Sequence, residues 1–296
     1  MKHAFTILAS GFRAVRISAR RLTIAAALCG VFQATSATAE IALVFGTYAA
    51  DKPTTTVRKY KPFLNYLALQ MTEVLGKPVS ITMKIARDYE TGIDHLAEGQ
   101  VDFARFGPAS YITVRERNDG IQIVAMESKG GNKRFKGVIV VHSDSAIPSL
   151  SALSGQSFAF GDELSTIGRY LAQSHLIEAG ITSHELSGYD FLGRHDRVGT
   201  AVGARRFTAG ALKESTFNKL VASGVPIKVL FEFDNVTKPW LASSGLDPEI
   251  LAAMRLVMLN TTDPGILDSI NKDGFVEGTD ADYDFIRAAM KHSAAF

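Results

Sequence analysis

The sequence predicts an α/β protein of two lobes, each a mostly parallel sheet flanked by helices. Two successive series of apolar, strand-length runs alternate with helical patterns, which favours parallel strands joined by helices. Several of these runs are continuously apolar, as is typical of strands that are buried on both faces. Polar turns follow the ends of several strands, where open α/β sheets bind their ligands.

Residues 1–39 are predicted to be a cleaved signal peptide. A basic stretch without acidic residues precedes an apolar run over 22–32 that is too short to span a bilayer. Ala37-Thr38-Ala39 matches an A-x-A cleavage site. The lone Cys29 follows a bulky leucine inside this segment, so we expect neither a lipid anchor nor a disulfide in the mature protein. An uncleaved anchor is the alternative.

The charge balance of the mature chain argues against general nucleic-acid binding. The predicted signal peptide holds five of the 32 basic residues, so 27 remain beside 30 acidic residues and the net charge is −3. No other stretch of the chain is long and apolar enough to predict a membrane span.

The first series predicts strands at 41–46, 79–85, 101–104 and 121–126. Helical spacing covers 57–74, with Pro62 as the candidate helix start, and 88–98. The third strand runs into Arg105-Phe106-Gly107, where glycine lets the backbone approach a ligand; an ordinary turn is the alternative. A basic, glycine-containing loop is predicted at 129–134.

The second series predicts strands at 137–142, 157–160, 189–193 and 227–231. The segment 207–212 is short and rich in small residues, and 239–248 is rich in turn residues. Helices are predicted afterwards at 248–257, 264–270 and 281–290.

Ser165-Thr166 lies where a predicted strand turns into a predicted helix. A helix start leaves backbone N–H groups without partners and carries a partial positive charge. Two hydroxyls beside those donors predict a pocket for a small oxyanion. A serine cap that satisfies the same donors from within is the alternative interpretation.

The sequence carries little that predicts catalysis. It has no G-x-S-x-G motif, the mature chain has no thiol, and its histidines lack metal-ligand spacing, so no cofactor or metal is expected. His195-Asp196 is the one candidate acid–base pair, which leaves an exported α/β hydrolase as the alternative to a binding protein. Thr47-Tyr48, Phe106-Gly107 and His195-Asp196 join Ser165-Thr166 as strand-end candidates for binding.

Several segments together resemble one protein family. They are Phe45-Gly46, the run Tyr60-Lys61-Pro62-Phe63-Leu64-Asn65-Tyr66-Leu67, residues 101–107, residues 139–145 and residues 160–168. The chain resembles the substrate-binding proteins of ABC importers for phosphate, phosphite and phosphonate. The resemblance implies a two-lobed periplasmic-binding-protein-like fold that closes on a ligand in the cleft between the lobes. It implies a first lobe of 40–135 plus 235–296 and a second lobe of 136–234.

The resemblance also implies site residues. Ser165 and Thr166 would hold the oxyanion, with Ile167 where the family often has a further serine. The other contacts that the resemblance implies are Phe106, His195 and Asp196. Tyr48 is a further candidate from its place at a strand end, and Arg105 and Arg169 are extra cations close to the matched turns. Thr208 is the predicted counterpart of an acid that holds a ligand amine, which argues against an aminoalkylphosphonate. A carboxylate or sulfonate clamped by arginine is an open alternative.

The implied partners are a small anion and a permease–ATPase complex, with membrane contact only through the permease. We expect a periplasmic monomer. A binding protein that supplies a membrane sensor is a further alternative.

Overall fold

The computed structural model describes residues 39–50, 52–270 and 272–296. The predicted signal peptide, apart from its last residue, lies outside these described residues. Among the helices described, none combines the length and the apolar character that crossing a membrane requires.

Eleven strands are found in the described residues. They are β1 (Ile41–Tyr48), β2 (Val79–Ala86), β3 (Phe103–Arg105), β4 (Gln122–Ser128), β5 (Arg134–His142), β6 (Ser157–Phe160), β7 (Gly188–Phe191), β8 (Ala209–Lys213), β9 (Ile227–Val236), β10 (Pro239–Ala242) and β11 (Gly274–Val276).

The same part of the chain contains nine α-helices. They are α1 (Pro53–Leu75), α2 (Tyr89–Ala97), α3 (Pro108–Arg117), α4 (Ala172–Glu178), α5 (His195–Gly203), α6 (Glu214–Ala222), α7 (Pro248–Leu259), α8 (Pro264–Ile270) and α9 (Asp284–Ser293). A π-helical segment, Thr166–Leu171, leads directly into α4.

The strands form two sheets, which confirms the predicted α/β architecture. The six-stranded sheet has the order β11-β4-β10-β3-β1-β2, and the five-stranded sheet has the order β7-β6-β8-β5-β9. Both sheets are mixed rather than mostly parallel. β10 is antiparallel to β3 and β4, while β5 is antiparallel to both β8 and β9.

The long β5–β9 pair includes the residues at which the sequence resemblance expects the chain to change lobes. Arg134 is opposite Val236, and Lys136 is opposite Asp234, where an exposed ion pair joins the two side chains at 2.8 Å. The lobe boundaries themselves stay a prediction.

Four elements differ from the sequence-based assignment. Helix α1 begins at Pro53, so Pro62 lies inside the helix and does not mark its start. Strands β8, β10 and β11 occupy segments to which no strand was assigned. In β10, Trp240 is fully buried and stacks on Phe45 at 5.1 Å, because tertiary packing overrides the local turn signal.

Contacts between the two sheets bring the ends of several of their strands together. The Thr166 hydroxyl accepts a hydrogen bond from the backbone N–H of Ala109 in the first turn of α3. The backbone N–H of His195 donates to the Ala50 carbonyl at 3.3 Å. The turns after β1, β3 and β6 and the start of α5 therefore surround one cleft.

Candidate functional site

The Ser165-Thr166 turn is held by close backbone packing. Gly161 N–H donates to the Gly168 carbonyl at 2.8 Å, and a Cβ on Gly168 would lie 2.8 Å from Gly161 Cα. The Ser165 hydroxyl accepts from Gly168 N–H at 2.9 Å. Ser165 is therefore a helix cap in this structure, and the predicted cap and the predicted anion site are the same group.

A second group of hydroxyls faces this turn from the other sheet. Gly107 N–H donates to the Tyr48 hydroxyl at 2.6 Å, and that hydroxyl is 2.8 Å from Ser110 Oγ. A Cβ on Gly107 would lie 3.2 Å from the Tyr48 hydroxyl and 3.3 Å from Thr166 Oγ1. A side chain here would be crowded, because the two hydroxyls approach the backbone from the two sheets. Burial raises the pKa of Tyr48 to about 12, so its hydroxyl stays protonated at neutral pH.

A narrow slot of about 10 Å³ lies between the hydroxyls of the two lobes. Its walls include Ser165, Thr166, His195, Asn235 and Lys238. Asn235 is 1% exposed, and neither its carboxamide nitrogen nor its oxygen has a hydrogen-bond partner among the described residues. A buried amide without hydrogen-bond partners lowers the stability of the folded protein unless another group, such as a ligand, binds it. Asn235 is thus a candidate ligand contact.

The slot opens into a larger cavity of about 150 Å³, which we call the lysine cavity. The two spaces share Gly107, Phe135, Lys213 and Lys238 as lining residues. Among the residues that line the lysine cavity, two are acidic, Glu127 and Glu214, and seven are basic: Lys59, Arg105, Lys129, Lys213, Lys219, Lys238 and Lys272. Such an excess of positive charge is suited to an anion.

Glu127 organises the wall of the lysine cavity and is 0% exposed. Its carboxylate accepts two hydrogen bonds from the Arg105 guanidinium, at 2.6 and 2.8 Å. Lys272 Nζ lies 3.1 Å away, and the Trp240 indole N–H donates at 3.3 Å. Burial alone would raise the pKa of Glu127, but Arg105 and Lys272 hold it well below its usual range.

Two lysines of the cavity have no such carboxylate partner. Within the described residues, no salt bridge reaches Lys59 or Lys238; the nearest ring to each ammonium is Tyr60 at 5.3 Å and Phe135 at 5.9 Å, respectively. Burial, followed by repulsion from Arg105, lowers the pKa of both lysines well below the usual value. An anion in the cavity would offset both the desolvation of the two ammonium groups and their repulsion by Arg105.

The structure brings six of the nine sequence-predicted site residues to these two spaces. Ser165, Thr166 and His195 line the slot, and Tyr48, Arg105 and Phe106 line the lysine cavity. Phe106 is buried and stacks on Tyr48 with the ring centroids 5.1 Å apart.

The other three predicted residues line neither space. The Arg194 guanidinium binds Asp196 through two contacts of 3.0 Å. Arg169 donates to the Glu163 carbonyl and packs over Tyr170. Thr208 precedes β8, at the opposite end of that strand from the cavity, and its N–H donates to Ser157.

Apart from Arg105, sequence reasoning did not identify as site residues the cations that give the lysine cavity its charge. Lys213 ends β8 and Lys238 precedes β10, and neither strand was assigned from the sequence. Asn235 lies beyond the predicted end of the last strand of the second series. A signal for Lys213 existed, because side chains at the carboxyl ends of strands in α/β sheets are favoured for binding.

Asp162 forms a contact between the lobes beside the slot. Its carboxylate accepts hydrogen bonds from Leu164 N–H and from the backbone N–H of Tyr89 at the start of α2. Burial, with help from the negative charges of Asp88 and Glu163, raises the pKa of Asp162 to about 6.

We expect Glu127→Gln to lower the free energy of unfolding by about 3–5 kcal/mol, because it leaves Arg105 and Lys272 buried without their counter-charge. Glu232→Gln is the matched control, since Glu232 is exposed and lies 3.5 Å from Lys136; its expected loss is under about 1 kcal/mol. Urea unfolding of the ligand-free proteins measures both. Equal losses in the two variants would contradict the role given to Glu127.

We expect the stability difference between Asp162→Asn and wild type to depend on pH. The folded pKa of Asp162 exceeds the ordinary 3.8, so the folded state binds more protons between about pH 4 and pH 6. The wild type therefore loses stability through this group as the pH rises through that window. Asparagine keeps the acceptor oxygen, so the variant should be about 1–2 kcal/mol more stable at pH 7 and equal near pH 4.

Urea unfolding at several pH values tests this expectation, with Asp190→Asn as the control because Asp190 is exposed on β7. A difference from wild type that stays constant from pH 4 to pH 7 would refute it.

The chain is similar to known proteins in sequence and in fold. A family profile described as "ABC transporter, phosphonate, periplasmic substrate-binding protein" matches residues 45–283. The probable ABC transporter phosphite binding protein PhnD1 of Prochlorococcus marinus is 27% identical over 153 residues, which are 48% of this chain and about half (51%) of that protein. The phosphate-import protein PhnD of Mycolicibacterium smegmatis is 23% identical over 263 residues, 77% of this chain and 78% of that protein.

A solved structure shares the fold. PhnD1 from Prochlorococcus marinus in complex with methylphosphonate has a TM-score of 0.76 at 21% identity, and the match covers 86% of this chain and 99% of that chain. Because the family profile covers most of the sequence, the chain belongs to the periplasmic phosphonate substrate-binding proteins of ABC transporters, which are binding proteins and not enzymes.

Proposed function

We propose that the protein captures a small phosphorus oxyanion of the phosphonate, phosphite or phosphate type in its interlobe slot and delivers it to a membrane permease. The observation that carries this proposal is the convergence of hydroxyls and helix starts from both lobes. Thr166 Oγ1 lies 2.9 Å from Ala109 N, at the point where the N-terminus of α3 faces the π-helical segment. Oxyanions bind readily to N–H groups at helix starts.

Ligand and protein groups would exchange partners on binding. Ser165 Oγ and Thr166 Oγ1 now accept hydrogen bonds from the backbone N–H groups of Gly168 and Ala109. An oxyanion offers stronger, charge-assisted acceptors for the same donors. The released hydroxyls and the Asn235 carboxamide would then donate to the remaining ligand oxygens. The slot of about 10 Å³ is smaller than such a ligand, so entry requires the lobes to separate.

The contacts of the two arginines disfavour a carboxylate or sulfonate held by an arginine clamp. Arg105 directs two nitrogens to Glu127, and Arg169 is bound to the Glu163 carbonyl and to Gln173. The relatives bear names that refer to phosphite and phosphate, and one solved relative holds methylphosphonate. These names support the phosphorus oxyanion class.

Delivery to a permease–ATPase complex by a periplasmic monomer is part of the same proposal and follows from the family. The family is defined by importers, which favours transport over supply of a membrane sensor. Hydrolysis by His195 and Asp196 finds no support in the described contacts, because the carboxylate of Asp196 is bound to the Arg194 guanidinium.

We expect the double variant Ser165→Ala/Thr166→Ala to bind methylphosphonate, phosphite or phosphate about 10–100-fold more weakly than wild type, because charge-assisted hydrogen bonds are lost. Isothermal titration calorimetry of the folded protein at pH 7 measures the dissociation constants. Thr200→Ala is the control, since that hydroxyl lies on α5 and bonds the Asp196 carbonyl. An affinity that is unchanged in the double variant would remove the turn from the site. No binding of any of the three anions by wild type would refute the ligand class.

We expect Asn235→Leu to separate binding from stability. Leucine is of similar size and removes a buried carboxamide that has no partner in the described residues, so the ligand-free variant should be as stable as wild type or more so. Its affinity for the same anions should fall about tenfold. Thermal unfolding without ligand and calorimetric titration with ligand give the two readouts. Lower ligand-free stability with unchanged affinity would assign Asn235 a structural role instead.

A further inference from the structure

We propose that the lysine cavity binds a second anionic group of the ligand, so that the preferred substrates are phosphonates or phosphates that carry a further carboxylate or phosphate. This inference rests on the proposed function, because it takes the first oxyanion to lie at Ser165-Thr166. It specifies which chemical group the ligand carries in addition to the first oxyanion.

The first argument is the connection between the two spaces. Gly107, Phe135, Lys213 and Lys238 line both the slot and the lysine cavity. A ligand held by one oxyanion at the turn can therefore extend past Lys213 and Lys238 into the cavity. The cavity volume of about 150 Å³ is many times the roughly 10–15 Å³ in which a single water molecule fits, which is room for a carboxylate or phosphate on a short linker.

The second argument is the charge of the wall. Glu127 already accepts two hydrogen bonds from Arg105 and one from Trp240, and it forms an ion pair with Lys272. Its negative charge is therefore balanced by cations of the cavity wall. Lys59 enters the cavity from α1, and Lys238 enters from the turn after β9, without a salt bridge to any described carboxylate. Glu214 is the remaining acidic residue of the lining, which also includes Lys129, Lys213, Lys219 and Lys272.

The third argument is the cost of this arrangement in the absence of a ligand. Lys59 and Lys238 are partly buried, and each feels the charge of Arg105 and Lys213. Burial and then this repulsion lower the pKa of both ammonium groups. Side chains arranged only for stability would not gather in this way, whereas a bound anion offsets both desolvation and repulsion. A cationic substituent, such as the amine of an aminoalkylphosphonate, would add to the repulsion.

Calorimetric titration with matched probes tests the proposal. Methylphosphonate carries one anionic group, phosphonoacetate adds a carboxylate, pyrophosphate adds a second phosphate, and 2-aminoethylphosphonate adds a cation. We expect phosphonoacetate or pyrophosphate to bind at least about tenfold more tightly than methylphosphonate, and 2-aminoethylphosphonate to bind more weakly. In the Lys59→Met/Lys238→Met variant, this preference should fall to about onefold, because phosphonoacetate and pyrophosphate should lose about tenfold more affinity than methylphosphonate does.

Lys61→Met is the control, because Lys61 is exposed on the same helix two residues from Lys59. Ligand-free stability of the double lysine variant should equal or exceed that of wild type, which separates lost binding from lost folding. The inference would be overturned if methylphosphonate bound at least as tightly as both phosphonoacetate and pyrophosphate. The proposed function would then remain intact. Pyrophosphate binding could also be tight, depend on Lys59 and Lys238, and be unchanged in Ser165→Ala/Thr166→Ala. That result would keep the lysine cavity as an anion site and refute the Ser165-Thr166 turn as one.

Discussion

Glu127 supplies the negative charge on which the architecture of the ligand cleft depends. It is fully buried at the end of β4, and it binds the Arg105 guanidinium, the Lys272 ammonium and the Trp240 indole. Trp240 in turn packs against Phe45 in the core of the larger sheet. The same carboxylate therefore links the aromatic core to a wall of positive charge. Without it, the cations that line the cavity would repel one another at close range in a medium of low polarity.

The opposite side of the cleft is built from short-range geometry instead of charge. Gly161 and Gly168 pack backbone to backbone, which places Ser165 as a cap and directs Thr166 toward Ala109 of the other lobe. In the structure, donors and acceptors of the protein satisfy one another at this turn. A ligand that offers charged oxygens competes for those donors, so ligand binding and lobe closure draw on the same groups. The proposed function requires this coupling.

The sequence was sufficient to predict the α/β architecture, most strands of the larger sheet and the Ser165-Thr166 turn, because these depend on local pattern. It was insufficient for β8, where Ala209, Gly210 and Ala211 carry little strand signal, and for β10, where turn residues surround a buried tryptophan. Lys213 and Lys238 adjoin these two strands, so the charged half of the cleft was missed with them. The positions of Asp196, Arg169 and Thr208 away from the cleft likewise follow from tertiary contacts with Arg194, Glu163 and Ser157.

The central claim is the proposal that this cleft selects a phosphorus oxyanion through hydroxyls contributed by both lobes and a neighbouring wall of cations. Mass spectrometry of the small molecule released from protein purified without denaturation is the most direct measurement. The account predicts a phosphonate or phosphate that bears a second anionic group, at about one molecule per chain. Release of a cationic or uncharged molecule at that stoichiometry would contradict it.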